Sequence, residues 1–473
     1  MVRLSIFFYF GIFAFAQVAA AQDTAYDITT GSGDYLGKYE RTVKETERGK
    51  ETTTRQTLQI RADDTRPRTV ISERTMLEKD GLISRIELVT KTGAAKAKTV
   101  AIFKGATAEI SRSTMGDVRV EKLNLPSDIR FDNGAGLLAE WSPSQRPEVR
   151  FHILDPSAPR LEDVVYDLQS GSDADTRTVR RRTFVDGKLF KLAFLTMDEA
   201  GKLTAANQPM FGEGISKSAT SDRSGFSERP PSLVESVLVK SPYRIPTSAM
   251  NKHLRYTFSL SEPVNFLPPQ TAEQNVRETE NGFTLDICDN CGLGLPTDDA
   301  YLLTAKQPTF WLQSDHRLIQ RAANRARRNN ASDHDVMESL SRWGSRRMKV
   351  IDFAGHFSAL EALKLKRGDC TEGATVLAAL GRAAGIPTKV VSGIVYSREQ
   401  YHGVSHTFMP HAWVLAYVDG EWKSFDMSLD GFDSTHIALN ISDGDPSAIQ
   451  AAHQMAALLE WGPMTEVRKR PKN

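Results

Sequence analysis

Three Asp-Gly pairs, Asp80-Gly81, Asp186-Gly187 and Asp419-Gly420, each join two runs of strand-forming residues. Such a pair accepts the left-handed backbone of a two-residue turn whose twist matches paired strands, so each marks an antiparallel hairpin. The first lies in RTVISERTMLEKDGLISRIELVT (68–90), the second in RRRTFVDGKLFKLAFL (180–195) and the third in HAWVLAYVDGEWKSFD (411–426). From about Tyr26 to Phe211 the chain stays in short alternating segments with no helical period. That pattern predicts an antiparallel sheet with one covered face over residues 22–211. Its role is open between a substrate platform, a lipid or peptide carrier and a partner surface.

Met1-Val2-Arg3 is a short cationic start, Leu4 to Ala16 is apolar, and Gln17-Val18-Ala19-Ala20-Ala21 supplies small residues for cleavage. Residues 1–21 therefore read as a signal peptide with Gln22 as the mature start, which predicts a periplasmic or secreted protein. No later stretch reaches about 18 apolar residues, so no integral membrane span is expected after cleavage. Sixty basic residues against fifty-nine acidic ones leave almost no net charge, which argues against a dedicated nucleic-acid binder. Two local basic runs, RAANRARRNN (321–330) and RTVRRRTF (177–184), read as solvated faces of a helix and of a strand.

Residues 212–231, rich in Ser, Gly and charge, read as a linker. A small β region follows over 232–310 and contains Cys288 and Cys291 in Cys-x-x-Cys spacing. Zinc would need a second ligand pair nearby, and a thioredoxin-like motif would need a helix where Gly292, Gly294 and Pro296 stand. For an exported chain the spacing favours a disulfide closing a tight loop. Helical periodicity begins near Ser314, with Ser332 as a second cap, and a last helix runs from Asp445-Pro446 to a stop at Gly462. Residues 311–465 form the predicted α+β domain, and 466–473 a basic tail.

Cys370, one of only three cysteines, immediately precedes an alanine-rich run from Thr371 to Ala384 that Gly385 and Pro387 end. A cysteine is usually a small buried hydrophobe. At a helix start, however, unpaired N–H groups and the positive end of the dipole favour a thiolate, so a depressed pKa and a nucleophilic role are the competing expectation.

The hairpin at Asp419-Gly420 supplies partners for such a thiol. A two-residue turn pairs Val418 with Glu421 and, further along, sets Trp413 opposite Asp426. His411 and Asp426 then share a face as diagonal neighbours, within reach of each other. A carboxylate orienting an imidazole is the arrangement that nucleophilic catalysis uses. His356, His402 and His406 are rival bases without an Asp placed by a hairpin. Cys370, His411 and Asp426 as a zinc set is a further alternative that lacks a second predicted histidine.

The runs GDCTEGATVLAALGRAAGIPTKVVSGIVY, HAWVLAYVDGEWKSFDMS and STHIAL resemble, in that order, the transglutaminase-like superfamily, which shares papain-like Cys-His-Asp chemistry. The resemblance covers roughly Ala354 to Ile441, under a quarter of the chain. It implies a papain-like α+β core behind the N-terminal sheet, with Cys370 as nucleophile, His411 as general base and acid, and Asp426 orienting His411. Arg382, Gly385, Ile386, Pro387, Trp413 and Trp422 fall at framework positions. The family often has an acidic residue two after the tryptophan; here Leu415 stands there, which puts substrate contacts near that strand in doubt.

These readings lead to an exported thiol enzyme that cleaves or transfers the acyl group of a peptide or amide bond through a thioester. Hydrolysis is favoured over amine transfer. The implied partner is a protein or peptide substrate, and no metal or organic cofactor is implied. The alternative from another class is a catalytically silent scaffold that keeps the fold for binding, against which an intact triad argues.

Overall fold

The structure, a computed structural model, describes residues 24–30, 33–61, 67–92, 95–114, 117–131, 137–138, 141, 146–169, 176–198, 203–209, 215–219, 238–329, 332–350, 356–399, 404–429 and 431–467. The segment read as a signal peptide and most of the 466–473 tail lie outside these residues. The described chain divides into two compact units, one up to residue 219 and one from 238 onward.

The first unit is a 14-stranded antiparallel sheet made of two meanders. Its order runs back along the chain from Asp117–Asn124 to Thr24–Thr30, steps to Ile215–Ala219, and runs back again to Glu148–Asp155. The Asp-Gly turns close two of its hairpins as the sequence implies, pairing Lys79 with Leu82 and Val185 with Lys188. Both residues of each turn have positive φ, 53° and 76° at Asp80-Gly81 and 50° and 74° at Asp186-Gly187. Alternation becomes sidedness: Ile86, Ala101, Ala108 and Ile110 of one meander cluster with Leu154 of the other.

Two expectations for this half need correction. Ile215–Ala219 lies within the proposed 212–231 linker, yet it is a strand that pairs with both Thr24–Thr30 and Leu203–Gln208. Its polar composition hides a pairing role that joins the two meanders; the remainder of 212–231 lies outside the described residues. The basic run 177–184 is also not simply solvated. Arg180 and Arg182 donate to Asp167 on the adjacent strand at 2.6 and 3.0 Å, and Arg181 is buried.

The second unit is α+β. Its five-stranded sheet holds Val239–Lys240, Thr407–Val418, Thr388–Ser397 and Ile437–Ser442 in that order, with Glu421–Phe425 pairing on Thr407–Val418. A four-stranded sheet has the order Gln274–Thr279, Gly282–Ile287, Leu254–Leu260, Leu459–Glu466. Residues 232–310 and 311–465 therefore do not part into separate bodies, because the last strand completes the sheet of the small β region. For the same reason the Pro446–Ala457 helix stops before Gly462, which lies in that strand. Short helices at Thr247–Met250 and Asp299–Thr304 also precede the helical stretch expected from Ser314.

Ser332 caps the Asp333–Ser345 helix, accepting from the Asp335 N–H at 3.0 Å. The Cys370–Ala383 helix is buried along almost its whole length and ends at Gly385, whose φ is 85°. Exposed Arg321, Arg325 and Arg328 give the Arg317–Asn329 helix the solvated face its sequence suggests. Among the described residues no helix is long and apolar enough to cross a membrane.

Candidate active site

Cys370 is the first residue of its helix, and the turn before it is fixed by a reciprocal cap. The Asp369 side chain accepts the Thr371 N–H at 2.8 Å, while Glu372 reaches back to the Asp369 N–H at 3.0 Å and also accepts the Phe357 N–H at 3.1 Å. Asp369-x-x-Glu372 is the sequence signature of this box, a local signal that marks the helix start independently of Cys370. Burial pushes the Glu372 carboxyl up to about 8.

The cap places Cys370 but does not activate it in the way its position suggests. Cys370 is 4% exposed, and its pKa lies above the ordinary thiol value rather than below it. Desolvation is the main cause and the Asp369 charge the next; a hydrogen bond from the Ala412 backbone favours the thiolate without reversing them. That hydrogen bond locates the sulfur beside the strand that carries His411.

On that strand the hairpin register is the one counted from sequence. Val418 pairs with Glu421 and Val414 with Phe425, so Asp426 follows directly. His411 Nε2 lies 2.5 Å from Asp426 Oδ2, with both side chains inaccessible to solvent. A carboxylate only accepts, so Nε2 carries the proton and Nδ1 is the free base position. Nδ1 is buried and has no hydrogen-bond partner among the described residues.

Asp426 is held from both sides. Its Oδ1 accepts the N–H groups of Ser428 at 2.7 Å and Leu429 at 3.1 Å. Burial alone would raise its pKa, but the charge and hydrogen bond of His411, then those of His436, hold it well below the carboxylate range. The loop after Asp426 rests on the Cys370 helix: a methyl on Gly373 would lie 3.1 Å from both Met427 Cε and Ser428 Oγ. Opposite His411 stands Gly393, where any Cβ would collide with the Ile437 carbonyl. The sheet thus brings Ile437, and His436 before it, close to the pair.

His436 is the residue that sequence reasoning misses. Its Nε2 lies 3.4 Å from Asp426 Oδ2 and its Nδ1 3.0 Å from Asp433 Oδ1. Burial would lower its pKa, but the two carboxylates outweigh that and raise it to about 9. It lies within the run STHIAL, but nothing local in the sequence ties it to Asp426. Donor atoms of His411, Asp426 and His436 all lie within 4.8 Å of one another, a spacing compatible with a metal ion. Hydrogen bonds from two imidazoles to one carboxylate oxygen already account for that closeness.

The rival histidines are occupied elsewhere. His356 Nε2 lies 3.2 Å from the Gly444 carbonyl, and burial lowers its pKa to about 4. His406 Nδ1 lies 2.7 Å from the Tyr396 hydroxyl. His402 lies outside the described residues.

The small β region also builds the site. Glu273 accepts the Ser424 N–H at 2.8 Å and its hydroxyl at 2.5 Å, and Ser424 Oγ receives the Trp413 indole N–H at 3.2 Å. Burial raises Glu273 to about 7. The Gln274 amide pairs with both backbone groups of Ala438, at 2.9 and 3.0 Å, two residues beyond His436. Leu415 is fully buried with Trp413 and Trp422, a core position rather than a substrate contact.

All three cysteines are thiols, which corrects the expected Cys288–Cys291 disulfide. Cys291 Sγ instead donates to the carbonyls of Asp286 at 3.3 Å and Glu273 at 3.5 Å, and burial followed by the neighbouring Cys288 raises its pKa. The loop is closed by backbone bonds from Cys288 N–H to Glu273 and from Cys291 N–H to Ala272, both 3.0 Å.

Residues 320–427 match the family model of the transglutaminase-like superfamily, a span that includes Cys370, His411 and Asp426 and stops short of His436. No curated protein matches the sequence. Among solved structures, a β-barrel-like protein of a domain of unknown function from Brucella abortus is 15% identical, covers 42% of this chain and 95% of its own, and has a TM-score of 0.33. A protein described as a candidate cysteine protease from Cytophaga hutchinsonii is 14% identical over 46% of this chain and 84% of its own, with a TM-score of 0.29. The periplasmic domain of TgpA from Pseudomonas aeruginosa is 16% identical over 38% of this chain and 88% of its own, with a TM-score of 0.24.

Proposed function

From the transglutaminase-like segment at 320–427, we propose that this protein is an exported thiol enzyme that opens amide bonds of a protein or peptide through a thioester on Cys370. The observation that carries the reading is the buried His411–Asp426 pair, whose Nε2 is committed to the carboxylate and whose Nδ1 has no hydrogen-bond partner among the described residues. In the proposed reaction Nδ1 takes the Cys370 proton as the sulfur attacks the amide carbonyl. The C–N bond breaks, His411 returns the proton to the departing amine, and a thioester remains. Water activated by His411 then releases a carboxylic acid, or a second amine takes the acyl group. Hydrolysis is the favoured outcome. The signal-like segment 1–21 supports export to the periplasm or beyond.

One observation favours a second reading, a catalytically silent scaffold: Cys370 is buried and its thiol is the favoured form. The two separate in one assay. Purified protein is incubated with a glutamine-rich protein and a fluorescent primary amine, and both newly formed termini and amine incorporation are measured. New termini without incorporation identify a peptidase, incorporation identifies a transferase, and neither activity beyond that of Cys370→Ala protein supports the scaffold.

A further inference from the structure

The Asp426 carboxylate has more partners than orientation of His411 requires. Both imidazoles reach the same oxygen, His411 Nε2 at 2.5 Å and His436 Nε2 at 3.4 Å. The other side of His436 is anchored: Nδ1 lies 3.0 Å from Asp433 Oδ1 and 3.2 Å from the Asp433 backbone N–H, and the Asp433 carboxylate is itself fixed by the Thr435 N–H at 2.8 Å and the Thr435 hydroxyl at 2.6 Å. The ring is closed in by aromatic neighbours, with Trp413 5.2 Å away at 85°, His411 5.6 Å away at 64° and Phe432 5.1 Å away at 34°. A single row therefore runs Asp433, His436, Asp426, His411, with carboxylate and imidazole alternating.

We propose that His436 is a positioning residue for the His411–Asp426 pair, clamping the Asp426 carboxylate and placing a fixed positive charge beside His411. This inference rests on the functional reading above. The chemistry follows from the row. An imidazole between two carboxylates donates from both nitrogens only when protonated, and a cation between buried Asp426 and partly exposed Asp433 offsets the repulsion of their two charges. The charged groups facing His436 are Asp426 and Asp433 in hydrogen-bond contact, His411 edge-on, and Glu273 from the small β region within coulombic reach. Its pKa, raised to about 9, agrees with a cation throughout the neutral range.

A cation at this place favours a thiolate at Cys370 relative to the same site without it. Loss of the charge should move the thiol ionisation to higher pH. A residue that merely fills space would change stability without moving it.

The test reads the rate of Cys370 alkylation by iodoacetamide from pH 5 to 10 in folded full-length protein, located by peptide mass spectrometry. The variants are His411→Ala, His436→Gln and Asp433→Asn. His436→Gln retains a donor but no charge. Asp433→Asn leaves the imidazole in place and guards against misfolding of the first variant. The wild type should show a midpoint that His411→Ala moves to higher pH, with slower labelling throughout. His436→Gln should raise that midpoint by about one pH unit, equivalent to about tenfold slower labelling on the acid side, and Asp433→Asn should raise it by less. Midpoints in both variants equal to the wild type, with the His411→Ala effect intact, overturn the role of His436 alone. A wild type in which His411→Ala changes nothing overturns the functional reading and this inference with it. Stoichiometric zinc in the purified protein, lost in His436→Gln, also overturns it, in favour of a metal centre.

Discussion

His411 Nε2 and Asp426 Oδ2 meet at 2.5 Å inside the protein although they stand fifteen positions apart across a hairpin turn. The turn produces the contact. Two residues of left-handed backbone at Asp419-Gly420, with φ of 52° and 90°, leave no freedom in the ladder between them and the pair. The contact settles which imidazole nitrogen is protonated and hence which one can act as a base.

That assignment makes Asp426→Asn informative. An amide at 426 can donate to Nε2, which drives the imidazole proton to Nδ1, the nitrogen needed as the base. Acylation of Cys370 should fall on the order of a thousandfold or more while the fold is retained. His406→Ala, which loses the bond to Tyr396 and the stacking on its ring, should be mild by comparison. Equal losses in the two variants would transfer the role of base away from His411.

Gly393 has a spatial role that a stability measurement can isolate. Its Cβ position is taken by the Ile437 carbonyl, so Gly393→Ala must push the Ile437–Ser442 strand away from its neighbour. The cost should be about 1–3 kcal/mol in unfolding free energy, with loss of activity as His436 moves with the strand. A variant as stable and active as the wild type would show that the strand accommodates the shift.

The buried ionisable groups predict a maximum of stability on the acid side of neutrality. His436, raised to about 9, stabilises the fold fully below its unfolded value near 6.5, and that contribution is lost as pH rises toward 9. Glu273 and Glu372, raised to about 7 and about 8, are disfavoured as anions in the fold, so they also subtract stability as pH climbs above about 4.5. His356 and His453, lowered by burial to about 4 and about 3, act in the opposite sense: unfolded chains take up their protons below about 6.5, and stability falls with pH from there. The opposing contributions offset each other between about 4.5 and 6.5. Above 6.5 only the losses remain, each at about 1.4 kcal/mol per pH unit across its window. Thermal unfolding at pH 5.5, 7.5 and 9 should give a falling Tm; a Tm that rises to pH 9 would contradict these assignments.

What the sequence reveals of this site divides along the distance over which it is determined. The hairpin register, the Ser332 cap and the Cys370 helix with its Gly385 stop rest on neighbours within a few residues, and each is legible. His436 is not, because it reaches Asp426 through the pairing of Thr388–Ser397 with Ile437–Ser442, which includes an irregularity between Ser392 and Gly393. Glu273 meets Ser424 across 151 residues, beyond any local pattern. Ile215–Ala219 is hidden in the same way, since its partners are the first strand of the sheet and a strand of the second meander. The thiol of Cys370 shows a different limit. Its place at a helix start is local and correctly read, but the burial that overrides the dipole depends on everything packed over that helix.

The central claim is that Cys370, served by His411, forms a thioester in the folded protein. Native protein is mixed with p-nitrophenyl acetate near pH 7.5, quenched at intervals and weighed by intact mass spectrometry. The account predicts a single acetyl group on Cys370 that hydroxylamine removes, none at that position in Cys370→Ala, and acylation slowed by about a hundredfold or more in His411→Ala. A native Cys370 that stays unmodified while the denatured chain reacts, or one acylated equally fast without His411, would contradict it.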